Sequence, residues 1–355
     1  MLTTRDKTKE IKVGKLKIGA GNPITVQSMT KTSTSDIDAT VKQIHDLEKA
    51  GCQIVRSAVP DKESAYALKE IKKQINIPLV ADIHFNHEYA LIAAEAGVDK
   101  LRINPGNIGD PAKIKAVVDA AKAHKIPIRV GVNSGSLEPK IRKKYHGHVT
   151  AEGLVTSALN NIKALENFGF EDIVVSIKAT SVPMTIKAYQ MISKKVNYPL
   201  HVGITEAGIP KIGTVRSAAG IGAILALGIG DTVRVSLTGD PLEEVRVAYE
   251  ILKSLELTYH GITIISCPTC GRADIDVVKI AQEVEARTNQ IKQPLTVAIM
   301  GCEVNGPGEA ADADVGMAGG RGVGLIFREG QVVRKVAEAE MVDALVDEIE
   351  SMAIN

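Results

Sequence analysis

The stretch ITVQSMTKTSTSDIDATVKQIHDLEKAGCQIVRSAV, residues 24–59, decides the fold. It begins and ends in β-branched runs, ITVQSM (24–29) and QIVRSAV (53–59), which read as strands. The segment between them, SDIDATVKQIHDLEKAG, opens on Ser and Asp, spaces its apolar residues as a helix does and closes on a glycine. Working outward, the same alternation recurs every 20 to 45 residues, through PLVADIHF (78–85), KLRINP (100–105), PIRVGV (127–132), DIVVSIK (172–178), PLHVGIT (199–205) and DTVRVSLT (231–238). Eight strands alternating with helices make an α/β chain, a parallel (β/α)8 barrel of the TIM type. The opening IKVGKLKIGAGN reads as a small hairpin closing the barrel's lower end, and AAGIGAILALGIG as a buried helix ending at a glycine cap.

Beyond PLEEVRVAYEILKSLEL the pattern changes, and a smaller α+β unit of residues 261–355 follows the barrel of residues 1–260. In it GITIISCPTC and PLTVAIMGCEVNGPGEA are strands running into loops, DIDVVKIAQEVEART is a helix, and a glycine-rich turn region precedes the hairpin GLIFREGQVVRKV and a closing helix. With 43 basic and 42 acidic residues the net charge is +1, so no global field points to nucleic acid or a membrane surface, and an anion must be held locally. The composition, 45% apolar and 24% charged, is that of a soluble globular protein. No run approaches the ~18 apolar residues of a membrane span and the N-terminus has no signal-peptide core, so a cytoplasmic location is expected.

Chemistry in such a barrel belongs at the C-terminal strand ends. Arg56, Arg102, Arg129, Lys178 and Arg234 fall near the ends of five different strands. Like charges crowded together call for a polyanion, and the planar fork of Arg suits phosphate, so a diphosphate or bisphosphate is the expected ligand. The carboxylates Asp82 and Glu206, with His84, His201, Asn104, Asn133 and Ser236, can orient hydroxyls or move protons there. Alternation along ADIHF puts Asp82 and His84 on one face.

Cys52, between a helix cap and the second barrel strand, reads as core. Cys267 and Cys270 of SCPTCGR and Cys302 of GCEVNGPGEA have metal-ligand spacing, yet no second pair completes a zinc ribbon. An iron–sulfur cluster normally takes four thiolates. With three, one iron is left to an oxygen ligand, and Glu309 is the best local candidate. A zinc-dependent barrel enzyme acting on a sugar phosphate, and a non-catalytic metal-binding protein, remain as rival readings.

The motifs VQSMTKTST, VADIHF, RINPGNIG, IRVGVNSGSLE, HVGITEAG, GDTVRVSLTGDP, SCPTCGR and MGCEVNGPGEA, in this order over nearly the whole chain, closely resemble those of the hydroxymethylbutenyl diphosphate synthases of the methylerythritol phosphate route to isoprenoids, in their two-domain bacterial form. Departures inside VRSAVP and at Ser134 touch no proposed ligand. The resemblance implies a barrel that binds methylerythritol cyclodiphosphate and a C-terminal domain carrying a [4Fe–4S] cluster on Cys267, Cys270, Cys302 and Glu309. It implies diphosphate binding by Arg56, Arg102, Arg129 and Lys178 with Arg234 and Ser236 beside them, and site positions at Asp82, His84, Asn133 and Glu206. The implied reaction is a two-electron reductive ring opening and dehydration, with electrons from flavodoxin or ferredoxin. A head-to-tail homodimer is implied as well. Under this reading Glu309 yields its place on the unique iron to substrate, and Glu206 delivers the proton.

Overall fold

The computed structural model describes residues 4–302, 308, 312–320 and 322–353. The chain divides into two compact units, Met1–Thr258 and Tyr259–Asn355. The first opens with an antiparallel hairpin, β1 (Ile11–Val13) and β2 (Leu16–Ile18). Eight parallel strands follow: β3 (Thr25–Met29), β4 (Ile54–Ala58), β5 (Leu79–Asp82), β6 (Lys100–Ile103), β7 (Ile128–Asn133), β8 (Ile173–Lys178), β9 (His201–Val202) and β10 (Thr232–Val233). Their order, β8-β7-β6-β5-β4-β3-β10-β9, is closed into a ring by a bridge between Val175 and Leu200, with the Val175 amide donating to Pro199 O at 2.9 Å.

The intervening helices are α1 (Ile37–Lys49), α2 (Lys62–Gln74), α3 (His87–Glu95), α4 (Pro105–Ile108), α5 (Pro111–His124), α6 (Pro139–Lys144), α7 (Ala151–Glu166), α8 (Val182–Ile192), α9 (Pro210–Ala226) and α10 (Pro241–Lys253). Their starts follow from local chemistry. Asp36 accepts from the Ala39 amide at 3.1 Å and Asp61 from Ser64 at 2.7 Å, satisfying N–H groups that a first turn leaves free. α4, α5, α6, α8, α9 and α10 carry Pro in the first turn, where its missing N–H costs nothing.

Ile11, Val13 and Ile18 of the hairpin pack against Ile54, Val80 and Val174 near the N-terminal ends of β4, β5 and β8. The hairpin thus seals the end of the barrel opposite the mouth, as its sequence suggests. AAGIGAILALGIG forms the second half of α9 and the turn after it; Gly220 gives room there to the Ile204 side chain, whose Cδ1 would lie 2.4 Å from an added Cβ. Two strand expectations are corrected. Residues 199–205 and 231–238 pair as regular strands only over two residues each. The backbones converge just beyond, where a Cβ on Gly203 would meet Arg234 O at 2.4 Å, and the chain leaves the ladder.

The second unit holds β11 (Ile262–Ser266), α11 (Val277–Thr288), β12 (Leu295–Met300), β13 (Val315–Gly320), β14 (Val323–Arg328), β15 (Gln331–Ala337) and α12 (Met341–Ala353). Its five strands run in the order β11-β12-β13-β14-β15, parallel over the first three and antiparallel beyond. The glycine-rich region expected as turn contains β13 instead. Its glycines answer to space: a Cβ on Gly319 would lie 2.4 Å from Ile275 Cδ1, and one on Gly316 2.8 Å from Ala298 O. Ile275, Val284, Val297, Met317, Met341 and Leu345 are among the residues of this unit's own core. Among the described residues no helix is long and apolar enough to cross a membrane.

Candidate active site

A cavity of about 220 Å³ at the C-terminal strand ends is lined by Arg56, Arg102, Arg129, Lys178 and Arg234 together with Asp82, His84, Asn133 and Ser236. Met29, Gly131, Ser176 and Thr205 complete its wall. The five cations therefore meet on one space, because alternate residues of each strand point into the barrel.

Asp82 organises one side. Its carboxylate accepts from Arg102 Nη1 at 2.9 Å and lies 3.5 Å from both Arg56 Nε and His84 Nε2. Burial opposes its charge, but Arg56 and Arg102 outweigh burial and hold the acid well below its usual range. Arg56 also directs Nη2 at the Met29 sulfur, 2.9 Å away. With its amide oriented by the hydrogen-bond network, Asn133 accepts from Arg102 Nη2 at 3.2 Å.

The other side is more positive. Lys178 is buried, and burial with Arg129, Arg234 and Arg56 pushes its proton affinity well below that of an ordinary lysine. Arg129 is 1% exposed; its Nε has no partner among the described residues, and Nη1 reaches Gln27 Oε1 only at 3.5 Å. Burial lowers Arg56 to about 10. An anion carrying several oxygens would satisfy these donors and reverse each of these shifts.

Arg234 differs from the rest. Its guanidinium is gripped by Glu244 of α10, with Nη2 3.1 Å from Oε1 and 3.0 Å from Oε2, and it donates to Ser236 Oγ at 2.7 Å. Glu244 also accepts from Ser28 Oγ and the Leu237 amide, each at 3.1 Å. The strand-end reading missed this carboxylate. The available signal was a glutamate on the apolar stripe of α10, in phase with Pro241, Ala248 and Ile251.

Three residues expected at the mouth stand elsewhere. His201 is fully buried and does not line the cavity; its Nδ1 is 2.6 Å from Thr232 Oγ1 and its Nε2 3.4 Å from Lys178 Nζ, so it supports Lys178 from behind. Asn104 caps α4 by accepting from the Gly106 amide at 3.1 Å. Glu206 is exposed on the loop after β9, next to Thr205 of the cavity wall, with φ 53° in the left-handed region that a non-glycine residue seldom adopts. Gly131 and Gly203 were missed as well. A Cβ on Gly131 would lie 2.6 Å from Arg102 Nε, and one on Gly203 2.7 Å from Lys178 Nζ, so both keep space for cations; a glycine inside a strand was the signal.

In the second unit, Cys267 and Cys302 follow the adjacent parallel strands β11 and β12. The Cys267 amide donates to Ile299 O at 3.2 Å, and the Gly301 amide donates to Cys267 Sγ at 3.3 Å. Cys270 is exposed, and hydrogen bonds from the Arg272 backbone and side chain lower its pKa. A sulfur that accepts an amide hydrogen bond and a thiol biased toward thiolate suit a cluster bound through cysteines. Glu309 lies outside the described residues. Cys52 belongs to the barrel core, where burial pushes its thiol up to about 12.

The barrel has the fold of dihydropteroate synthases. The Yersinia pestis enzyme with a pterine-sulfa conjugate superimposes at TM-score 0.51, with 11% identity over 70% of this chain and 100% of that one. The Xanthomonas albilineans enzyme with 4-aminobenzoic acid gives 0.51 and 14% over 70% and 98%. At such identities the likeness concerns fold alone. Sequence relatives are far closer. The protein named 4-hydroxy-3-methylbut-2-en-1-yl diphosphate synthase (flavodoxin) from Caldanaerobacter subterraneus subsp. tengcongensis is 58% identical over 352 residues, 99% of each chain. Its namesake from Geobacillus thermodenitrificans is 58% identical over 349 residues, 98% of this chain and 93% of that one. The model of the GcpE TIM-barrel domain matches residues 8–249, and that of the GcpE protein C-terminal domain matches residues 263–351. Across both units, therefore, the chain belongs to the GcpE family.

Proposed function

We propose that the chain catalyses the reductive ring opening and dehydration of 2-C-methyl-D-erythritol 2,4-cyclodiphosphate to 4-hydroxy-3-methylbut-2-enyl diphosphate, the reaction implied by the name its relatives carry. The observation that carries this reading is the convergence of Arg56, Arg102, Arg129, Lys178 and Arg234 on one cavity in a member of that family. Arg56, Arg102, Arg129 and Lys178 hold the diphosphate, Asp82 fixes the orientation of Arg56 and Arg102, and Asn133 and Ser236 tie down Arg102 and Arg234. His84, beside Asp82, orients a substrate hydroxyl. Glu206 is the proton donor of this reading, supported by its strained backbone next to the cavity wall, since such strain gathers at working residues.

A [4Fe–4S] cluster would be held by Cys267, Cys270 and Cys302 with Glu309 as the oxygen ligand, and when bound it supplies the electrons of the reduction. Flavodoxin, the donor in the relatives' name, is the electron source. A cytoplasmic, head-to-tail homodimer completes the reading, on the strength of the motif resemblance. Anaerobic turnover of the cyclodiphosphate with a chemical reductant, alongside an iron count, tests it. Product formation by a brown, iron-loaded protein is expected. A colourless zinc protein that leaves the cyclodiphosphate untouched would overturn it.

A further inference from the structure

A second positive region lies outside the cavity. The segment PKIRKKYHGH, residues 139–148, forms α6 and the turn after it, and contains no acidic residue. Lys140, Lys143, Lys144, His146 and His148 are exposed and Arg142 is half-buried. A chain of net charge +1 thus concentrates four permanent cations in five consecutive positions, 140–144. The carboxylates that flank the segment in sequence have partners of their own. Glu138 accepts from Ser157 Oγ at 2.8 and 2.7 Å, and Glu152 pairs with Lys187 at 2.6 Å.

The patch belongs to the mouth face, since it follows β7, whose last residue, Asn133, lines the cavity. Arg142 Nη2 donates to Ser134 O at 2.9 Å and anchors the segment to that strand end. Leu137, Pro139, Arg142, Lys143 and His146 border an open depression of about 640 Å³.

We propose that this α6 surface docks the protein electron donor, a partner that presents carboxylates around its redox group. The inference rests on the proposed function, in which every turnover consumes two electrons delivered by a protein. Electron-transfer encounters of that kind are small and transient, and charge complementarity serves them mainly by raising the association rate. A small phosphorylated substrate gains little from exposed lysines and has the buried cavity for its charge. Single-stranded nucleic acid would want stacking platforms. The segment's one aromatic residue, Tyr145, is half-buried, with Lys144 Nζ 5.9 Å from its ring centroid.

The test uses the cluster-loaded full chain carrying Lys140→Glu, Lys143→Glu and Lys144→Glu together, all at exposed positions outside the cavity. The KM for reduced flavodoxin at low ionic strength should rise about tenfold or more, as expected for reversal of steering charges. Turnover with reduced methyl viologen should stay within about twofold of wild type, because a small dye needs no docking face. An unchanged KM for flavodoxin overturns the proposal. So does an equal loss with both reductants, which would assign the patch to the fold or to substrate entry. Lost retention on a heparin column with an unchanged flavodoxin KM would assign it to nucleic acid instead. A wild-type enzyme inactive even with viologen would overturn the proposed function and this inference with it.

Discussion

At the scale of single residues, the barrel mouth stores unfavourable proton binding that an anion releases. Lys178 at the mouth and His201 behind it both have depressed proton affinities, from burial and surrounding cations. Between these depressed values and the ordinary ones, about 6.5 for His and 10.4 for Lys, the unfolded chain binds more protons than the folded one, so ligand-free stability rises with pH. Pyrophosphate restores the lost affinity. Its binding should take up protons and tighten as pH falls, which titration calorimetry in two buffers of different ionisation enthalpy will read. Lys178→Met should shrink the uptake and weaken binding by about 1.5–3 kcal/mol, the value of a charge-assisted hydrogen bond. Gly131→Ala should push Arg102 aside, costing about 1–3 kcal/mol of stability in denaturant unfolding and weakening pyrophosphate binding measured by calorimetry. The strand-end cations were legible because period-two alternation assigns a strand residue to its face. Glu244 and Gly131 were not, because one acts from the helix after β10, outside any strand end, and the other acts by lacking a side chain.

At the scale of elements, regular strands and capped helices could be read directly, and the misreadings cluster where packing overrules propensity. β9 and β10 are shorter than their β-branched runs, since Gly203 brings two backbones together beyond them. β13 was hidden by its glycines, which suggest turns until the side chains of Ile275 and Ala298 are seen filling the space. The N-terminal hairpin was legible as a closure, though its partners Ile54, Val80 and Val174 belong to strands far apart in the chain. Ile11 is 2% exposed in that cluster, and Ile11→Ala should cost about 2–5 kcal/mol in denaturant unfolding. Because the hairpin seals the end away from the mouth, pyrophosphate affinity should hold in the folded fraction.

At the scale of the whole molecule, each unit packs around hydrophobic clusters of its own, those of the barrel and its hairpin in one and those of the mixed sheet in the other. Changes in the cysteine loops should therefore leave the barrel's ligand site intact. Cys270→Ser, at an exposed position, should lose iron while pyrophosphate affinity measured by calorimetry stays unchanged. The ring of strands has one more consequence, which concerns the order in which the chain is made. Each of β4 to β8 pairs with the strand synthesised just before it, but the free edge of β3 waits for Thr232 and Val233 of β10. At about 5–20 residues per second the roughly two hundred intervening residues take about 10–40 s. Throughout that interval a nascent chain offers an unpaired edge to its neighbours on the polysome, and only its own late strand covers it.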